Sequence, residues 1–139
     1  MDRQTRIPAG VEERLRRKDA TTRIAVVGAS NNPEKYGNVI VRNLHGKGYA
    51  VLPVNPREPE IAGLAAYRDV ASVPRPVHVV DFVTPPGVTL EVLRGLDPSS
   101  VGAVWLQDGS FDDAVVACAE ERFATVVRDA CIMVVTGRL

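Results

Sequence analysis

The chain has 139 residues, 17 acidic and 17 basic side chains, and a hydrophobic fraction of 45%. This length suits one domain that buries a full hydrophobic core. The formal net charge of zero argues against the basic surfaces that bind nucleic acids or anionic membranes. We therefore expect neither partner, and any attraction for phosphate must be local.

The cysteine content and the polar N-terminal residues indicate in which cellular compartment the protein is expected. Two cysteines, Cys118 and Cys131, lack the number and spacing of a disulfide scaffold or a metal site. No apolar run resembles a signal peptide or reaches the length of about 18 residues that a membrane span needs. We expect a cytoplasmic protein without a metal site.

The first predicted elements are a helical segment and a buried strand. Residues 7–20 carry apolar side chains four residues apart, which indicates an amphipathic helix. We assign residues 1–22 to a helical segment packed on a domain of residues 23–139. Within that domain, residues 23–28 form an apolar run that ends in glycine. Such a run is typical of a strand buried on both faces of a parallel sheet.

Strands and helices alternate through the rest of the chain. We predict strands at residues 49–54, 65–67, 77–83, 101–106 and 124–127. We predict helices at residues 36–47, 85–96 and 110–119, a helical turn at 69–72 and a tail at 132–135. Ser110, with Asp113 three residues later, has the spacing of a capping box and predicts the start of the last helix.

This alternation predicts a Rossmann-like α/β fold. We expect a single domain of three layers, in which a doubly wound parallel sheet carries helices on both faces. The expected strand order is 3-2-1-4-5-6, with strands counted along the chain. Since the carboxyl ends of parallel strands meet at one edge, four loops should lie side by side there. They are residues 28–32, 53–57, 82–86 and 105–109.

The loop at residues 28–32 carries the clearest functional signal. It follows the first strand and precedes a helix, where backbone N–H groups and the helix dipole favour an anion. Gly28 permits a tight turn and a close approach of phosphate, and Ser30 and Asn32 add short polar side chains. We interpret the loop as a phosphate site. The alternative is an ordinary turn, because such residues are common in turns.

The fingerprint of nicotinamide dinucleotide binding is incomplete. The pattern G-x-G-x-x-G would need glycines where Ser30 and Pro33 stand. The second strand is followed by Asn55-Pro56-Arg57 rather than by an acid that binds ribose hydroxyls. Because an arginine at this place suits a 2′-phosphate, an NADP-binding regulatory domain stays open as an alternative.

A series of short motifs then resembles a known family. The series comprises Gly28-Ala29-Ser30, Pro33, Lys35, Gly37, Gly48-Tyr49, Val54-Asn55-Pro56, Gly63, Tyr67, Trp105-Leu106-Gln107, Gly109 and Asp129-x-Cys131-Ile132. In this order the motifs resemble the small, stand-alone CoA-binding domain proteins. These are related to the CoA-binding domain of the succinyl-CoA synthetase alpha subunit. The resemblance covers about residues 23–132.

The resemblance implies a Rossmann-like domain that binds coenzyme A. It implies that the phosphates lie on the first loop and its basic neighbour, with contributions from Gly28, Ala29, Ser30, Asn32 and Lys35. It implies that the nucleotide side is lined by Asn55, Pro56 and Arg57. It implies that the path of the adenine and the pantetheine is bordered by Val83, Thr84, Pro85 and Gln107.

No catalytic constellation is apparent in the sequence. His45 and His78 have no evident serine or carboxylate partner, and the phosphorylated histidine loop of the synthetases is missing. We therefore expect a protein that binds CoA or acyl-CoA without catalysis of its own. The alternative is a detached subunit of an acyl-CoA synthetase that needs a partner chain.

Three further side chains invite specific expectations. Asp81 lies in a predicted buried strand, and we expect it to accept a hydrogen bond from a nearby backbone donor. Trp105 ends an apolar strand and is interpreted as a core residue. For Cys131 the hypothesis is that it approaches the CoA thiol and forms a mixed disulfide under oxidation. The alternative is a small, buried hydrophobic residue.

Overall fold

Short apolar segments alternate with helices in the computed structural model, which describes residues 7–139. The elements in chain order are α1 (Ala9–Leu15), β1 (Arg23–Val27), α2 (Tyr36–Gly46), β2 (Ala50–Val54), β3 (Glu60–Ile61), β4 (Leu64–Ala65), β5 (Val77–Phe82), α3 (Pro86–Gly95), β6 (Val101–Leu106), α4 (Asp113–Arg122), β7 (Val126–Arg128) and α5 (Ile132–Gly137). Two 3₁₀ turns, Val70–Ser72 and Pro98–Ser100, precede β5 and β6. None of the helices in residues 7–139 combines the length and the apolar character needed to cross a bilayer.

The main sheet has five parallel strands in the order β2-β1-β5-β6-β7. This order confirms the predicted arrangement for these five strands. Val27 lies opposite both Val54 and Phe82, and Phe82 lies opposite Leu106. The strands therefore end at the same level, and their following loops share one edge of the sheet. The chain leaves β1 toward β2 on one side and later returns to β5 on the other.

The predicted edge strand at residues 65–67 is reduced to a single bridge. Leu64–Ala65 pairs instead with Glu60–Ile61 in a small antiparallel hairpin. The turn of this hairpin places Ala62 and Gly63 at φ angles of 52° and 80°, which brings the two short strands together. Because the hairpin takes up these residues, only Tyr67 remains to pair with the main sheet, through one parallel bridge to Val54.

Two hydrophobic clusters on opposite faces of the sheet make the domain three-layered, as predicted. Ile24 and Val26 of β1 pack with residues of α2 and α5, whereas Ala25 and Val27 pack with residues of α3 and α4. These four side chains are at most 4% exposed. Burial on both faces explains why the strand is apolar from Ile24 to Val27 rather than alternating.

The N-terminal helix is shorter than predicted. It covers Ala9–Leu15, and Leu15 is fully buried against the α2 face of the sheet. The buried hydroxyl of Thr22 then donates to the Arg17 carbonyl at 2.7 Å, which holds the return of the chain toward β1. The division of the chain at residue 22 stays a prediction, and residues 1–6 of the predicted segment lie outside the described residues.

Two predictions for the C-terminal third were wrong. Asp112, rather than Ser110, caps α4 by accepting a hydrogen bond from the Val115 N–H at 3.0 Å. Ser110 is buried and donates to the Gln107 carbonyl at 2.7 Å. The predicted tail at residues 132–135 is part of α5, Ile132–Gly137. Its β-branched residues favour an extended conformation, but residues buried three or four positions apart are the pattern of a helix.

Helix α2 approaches the end of β1 so closely that only glycine fits at its second position. A Cβ atom at Gly37 would lie 2.1 Å from the carbonyl oxygen of Gly28. Gly87 occupies the corresponding second position of α3, where a Cβ atom would meet nothing within 4 Å. The two glycines therefore differ in packing while sharing their place in a helix.

We expect Gly37→Ala to lower the free energy of unfolding by at least about 1–3 kcal/mol, because the helix must move away from the Gly28 carbonyl. The matched change Gly87→Ala should alter it by less than about 1 kcal/mol and in the stabilising direction. Urea unfolding of both variants measures the difference. Equal stability of the two variants would contradict the close packing of α2 on β1.

Candidate functional site

The loops that follow the strands gather at the carboxyl edge of the sheet, as predicted. Residues 28–35 follow β1, residues 55–59 follow β2 and residues 83–85 follow β5. The β1 loop leads into α2 on one face of the sheet, whereas the β5 loop leads into α3 on the opposite face. Because β1 and β5 are neighbours, their loops diverge there, which is where ligand crevices form in such sheets.

Gly28 makes the turn that starts this region. Its φ angle is 99°, a conformation that side chains rarely adopt. A Cβ atom there would lie 2.8 Å from Cγ2 of Val83. The N–H of Gly28 donates to the Val54 carbonyl at 3.2 Å, so the turn is tied to β2 as well. The requirement for glycine at this position is therefore both conformational and steric.

Short-range hydrogen bonds shape the loop after Gly28. The Ser30 hydroxyl oxygen accepts from the Asn32 N–H, and the Asn32 side-chain oxygen accepts from the Glu34 N–H, each at 3.0 Å. The Asn32 carbonyl accepts from the N–H of Lys35, which immediately precedes α2. Ser30 and Asn32 were predicted as ligand contacts, and the structure shows that their side-chain oxygens also hold the loop.

Backbone donors in this loop are available to a ligand. The N–H groups of Ala29, Ser30 and Asn31 donate to no protein group within residues 7–139. They lie just before the start of α2, whose dipole favours negative charge. Consecutive backbone N–H groups at such a place are the usual ligands of phosphate oxygens. The loop thus has N–H donors of the kind that a phosphate site needs, and phosphate binding there stays a prediction.

Asn55 holds the β1 loop from the side of β2. Its side-chain N–H donates to the Ala29 carbonyl at 2.9 Å, and its side-chain oxygen accepts from the Arg57 N–H at 2.8 Å. Ala29 itself is buried, with 1% of its surface exposed. Asn55 was predicted to line the nucleotide side. The structure places it at the crevice and commits both ends of its amide to protein partners.

Two other asparagines hold the same loop and were not among the predicted contact residues. The buried Asn38, on α2, donates to the Ser30 carbonyl at 2.9 Å. Asn31 donates to the Glu60 carbonyl at 2.7 Å and so ties the loop to the β3–β4 hairpin. A polar residue among the apolar positions of α2 was the available signal for Asn38. The role of Asn31 depends on the hairpin, which was itself not predicted.

A crevice of about 260 Å³ opens beside Gly28, between the β2 loop and α3. Its walls bring together four of the predicted site residues, namely Gly28, Asn55, Pro56 and Thr84. They also include residues that sequence reasoning missed, among them Arg68, Val88 and Val92. Val88 is 44% exposed although it is large and apolar. An exposed valine outside the buried stripe of a helix was a signal for an apolar ligand surface.

The remaining predicted residues from the β5 loop have structural contacts. Val83 packs against the cluster on the α2 face, and its N–H donates to the Val27 carbonyl at 2.9 Å. The Pro85 carbonyl accepts from the first-turn N–H groups of α3. The Thr84 and Thr89 hydroxyl oxygens lie 2.8 Å apart in a hydrogen bond. Of these predicted contacts, Thr84 alone lines the crevice.

Two predicted cations lie at the rim of the site. Lys35 and Arg57 are exposed, and within residues 7–139 neither side chain has a hydrogen-bond or ion-pair partner. Lys35 is next to the β1 loop, and Arg57 follows β2. Both charges are therefore available to an anionic ligand, one on each side of the loop at residues 28–32.

Gln107 lies in a second cavity, of about 270 Å³, which it lines with Tyr36, Asp108, Ala130 and Cys131. The Gln107 side chain is buried, and its oxygen accepts from the Ile132 N–H at 3.0 Å. Tyr36 begins α2 and Cys131 immediately precedes α5, so this cavity lies toward the α2 face of the sheet. The crevice beside Gly28 instead borders α3.

The thiol of Cys131 is partly exposed in this cavity and lies 2.9 Å from the Tyr36 hydroxyl. Burial raises the thiol pKa, but hydrogen bonds from Tyr36, from the N–H groups of Val134 and Met133 and from Gln107 outweigh it. The pKa of Cys131 therefore falls below its ordinary value. Burial and the bond to Cys131 raise the pKa of Tyr36, so the tyrosine stays protonated and donates.

The prediction for Asp81 was wrong. Its side chain is fully buried, and no group in residues 7–139 hydrogen-bonds to either carboxyl oxygen. The reason lies in its central position, between Val26 of β1 and Trp105 of β6, where the strand N–H groups serve the sheet itself. Burial raises the pKa of Asp81 well above the ordinary 3.8, with a smaller contribution from Cys131. The carboxyl group is accordingly held in its neutral form.

Trp105 is a core residue, as predicted, and two further side chains have structural contacts. Trp105 is fully buried, and its indole N–H donates to the Ala130 carbonyl at 2.9 Å. His78 lies near the start of β5, where its Nδ1 accepts from the Arg23 N–H at 3.0 Å. Cys118 packs against the cluster on the α3 and α4 face. The contacts of these three side chains therefore stabilise the fold.

The sequence as a whole matches a known family. Residues 22–137 correspond to the family described as CoA binding domain. The chain belongs to this family. The match confirms the resemblance seen in the motifs, and it extends over all seven strands and over helices α2 to α5.

Relatives of this CoA-binding domain are of two kinds. The uncharacterized protein YneT of Bacillus subtilis (strain 168) is 30% identical over 130 residues, 91% of either chain. The structure of a hypothetical protein from Pyrococcus horikoshii OT3 covers 100% of this chain and 99% of its own, with a TM-score of 0.82 and 30% identity. The alpha subunit of ADP-forming acetate–CoA ligase II of Pyrococcus furiosus is 44% identical over 63 residues. These residues are 45% of this chain but 14% of the ligase subunit.

We expect Asp81→Asn to stabilise the protein at neutral pH. Because the folded protein retains the Asp81 proton at pH values where the unfolded chain has lost it, the wild type loses stability as pH rises above 3.8. An amide of the same shape removes this loss. The gain in free energy of unfolding should be clear near pH 7 and shrink toward about pH 4.

Urea unfolding of the wild type and the variant at matched pH values measures this gain. Asp108→Asn, which changes an exposed carboxyl group at the same edge, serves as the control and should leave stability nearly unchanged at every pH. A difference between wild type and Asp81→Asn that is independent of pH would contradict the buried, neutral carboxyl.

Proposed function

We propose that this chain binds CoA or acyl-CoA at the carboxyl edge of its sheet and has no catalytic activity of its own. The observation that carries the proposal is the loop at residues 28–32. Its N–H groups at Ala29, Ser30 and Asn31 have no protein acceptor within residues 7–139. Membership of the CoA-binding domain family supports the same ligand.

The residues at this edge suit the chemistry of CoA. The ligand carries a diphosphate and a 3′-phosphate, which need backbone N–H donors and cations. The loop N–H groups and Lys35 would hold the diphosphate, and Arg57 supplies a second cation on the side of β2. Val88 and Val92 give the neighbouring crevice apolar walls that suit the adenine. Phosphate recognition and base packing would thus be divided between the loop and α3.

We infer binding without catalysis from the positions of the histidines. His78 lies near the start of β5, at the sheet edge opposite the loops, and its Nδ1 is engaged by the Arg23 N–H. His45 lies in the last turn of α2, at the end of the helix remote from the β1 loop. Neither histidine is therefore near the residues that would hold the ligand. Acid–base catalysis by histidine at this edge would need a group from another chain.

A second candidate function follows from that requirement. The acetate–CoA ligase subunit of Pyrococcus furiosus is an enzyme component that contains a region similar to part of this chain. A domain that binds CoA separately would then present it to a ligase chain. This role shares the CoA site with the first proposal, and turnover that depends on both chains would distinguish it.

We expect Lys35→Ala to weaken CoA binding about five- to thirtyfold, the loss of one charged hydrogen bond worth about 1–2 kcal/mol. Arg94→Ala is the matched control, because Arg94 is an exposed cation in the last turn of α3, remote from the loops. Calorimetric titration under reducing conditions measures both affinities. Equal affinities for the two variants would place the phosphates away from Lys35.

Thermal unfolding with CoA, acetyl-CoA, NAD and NADP tests the ligand class. A ligand at 100 times its dissociation constant should stabilise the protein by about 2.7 kcal/mol. We expect this shift with CoA or acetyl-CoA and not with NAD. Stabilisation by NADP without stabilisation by CoA would overturn the proposal in favour of a nicotinamide-binding regulator.

A further inference from the structure

We propose that Cys131 is a thiol–disulfide exchange site that captures the thiol end of the CoA ligand as a mixed disulfide. This inference rests on the proposed function, because it assigns the second cavity at the sheet edge to the reactive end of the same ligand. The cavity of about 270 Å³ is lined by Tyr36, Gln107, Asp108, Ala130 and Cys131. Its walls combine one accessible thiol with polar side chains.

The surroundings of Cys131 are those of a reactive cysteine. Its thiol is partly exposed and lies 2.9 Å from the Tyr36 hydroxyl. Polar groups of Met133, Val134 and Gln107 also contribute to the lowered pKa of the thiol. Donors that surround a sulfur stabilise its thiolate, which is the nucleophile in disulfide exchange. Cys118 instead packs against the hydrophobic cluster on the opposite face.

A second observation in the same region is the unused carboxyl group of Asp81. It is fully buried and has no hydrogen-bond partner within residues 7–139, and the Cys131 thiol contributes to the raised pKa of its carboxyl group. Unpaired buried polar groups are rare in native proteins, and each calls for an explanation. Asp81 does not line the cavity, but it lies on the α2 face of the sheet and interacts electrostatically with Cys131, which does.

The cavity is also positioned to receive the thiol end of a ligand held by the β1 loop. Tyr36 is the first residue of α2 and directly follows that loop, so one segment borders both the phosphate donors and the thiol. The Gln107 N–H donates to the Phe82 carbonyl, which places the β6 loop beside the β5 loop. For a ligand whose phosphates lie on residues 28–32, the cavity beside Cys131 is therefore on the same edge of the sheet.

The exchange step is balanced when the co-reactant is the disulfide of the ligand. The Cys131 thiolate attacks one sulfur of CoA disulfide and forms a new sulfur–sulfur bond with one CoA. The original sulfur–sulfur bond breaks, and the second CoA leaves with the electron pair as a thiolate. The proton given up by Cys131 passes to that leaving thiolate. One disulfide replaces another, so no external oxidant is needed.

The test is intact-protein mass spectrometry after incubation of the full chain with CoA disulfide. We expect one CoA adduct on the wild type and on Cys118→Ser, and none on Cys131→Ser. The adduct should form at least about tenfold faster with CoA disulfide than with glutathione disulfide, because the nucleotide directs it. Tyr36→Phe should slow its formation, since the thiolate loses a donor.

Binding of reduced CoA to Cys131→Ser, measured by calorimetry with a reductant, separates this inference from the proposed function. If Cys131→Ser binds reduced CoA but the wild type forms no adduct with CoA disulfide, the exchange site is overturned and the CoA site stands. Equal rates with CoA disulfide and glutathione disulfide would overturn ligand-directed capture. Absence of CoA binding to both the wild type and Cys131→Ser would overturn the proposed function itself.

Discussion

The close approach of Gly37 to the Gly28 carbonyl is the constraint on which the proposed binding site at the carboxyl edge of the sheet depends. It brings α2 against the end of β1 at a distance that admits no side chain, and it fixes where the helix starts. The loop between these glycines is held mainly through its acceptors, because Asn55 and Asn38 donate to the carbonyls of Ala29 and Ser30. Its donors at residues 29–31 have no acceptor within residues 7–139. A loop fixed by its carbonyls in this way keeps its N–H groups for an anion without having to reorganise, which is what preorganised binding requires.

The topology places the segment from Gly28 to Tyr36 between two cavities, the crevice beside Gly28 and the cavity beside Cys131. Because β1 lies between β2 and β5, the chain on either side of it departs to opposite faces of the sheet. The crevice on the α3 face has apolar walls such as Val88, whereas the cavity on the α2 face carries Tyr36 and Cys131. An elongated ligand with a base at one end and a reactive group at the other matches such a division. In the proposed binding mode, recognition of the base and reaction of the thiol therefore take place on opposite faces of the sheet within one domain.

Much of this arrangement could be predicted from the sequence, for identifiable physical reasons. Strands buried on both faces are apolar runs in the sequence, and their alternation with helices predicts a parallel sheet. The residues that follow strand ends, such as Gly28, Asn55 and Thr84, could therefore be predicted to lie at one edge. The cap of α4 was misplaced because Ser110 and Asp112 are both good caps, and only the structure shows that Ser110 is engaged by Gln107. The contact of Tyr36 with Cys131 joins residues 95 positions apart. It depends on how α2 and the start of α5 pack, which no local pattern encodes.

Negative charges on the α2 face of the sheet disfavour one another. An ionised Asp81 would raise the pKa of Tyr36, and a thiolate at Cys131 raises the pKa of Asp81. Burial settles this competition, because it holds Asp81 neutral while the donors around Cys131 lower the pKa of the thiol. Asp81 lowers the stability of the fold at neutral pH, because it is buried without a partner. Since it stays neutral, it does not oppose the negative charge of a Cys131 thiolate. Formation of a disulfide at Cys131 would remove that charge altogether and relieve the competition, which couples the state of the thiol to the protonation of a residue in the middle of the sheet.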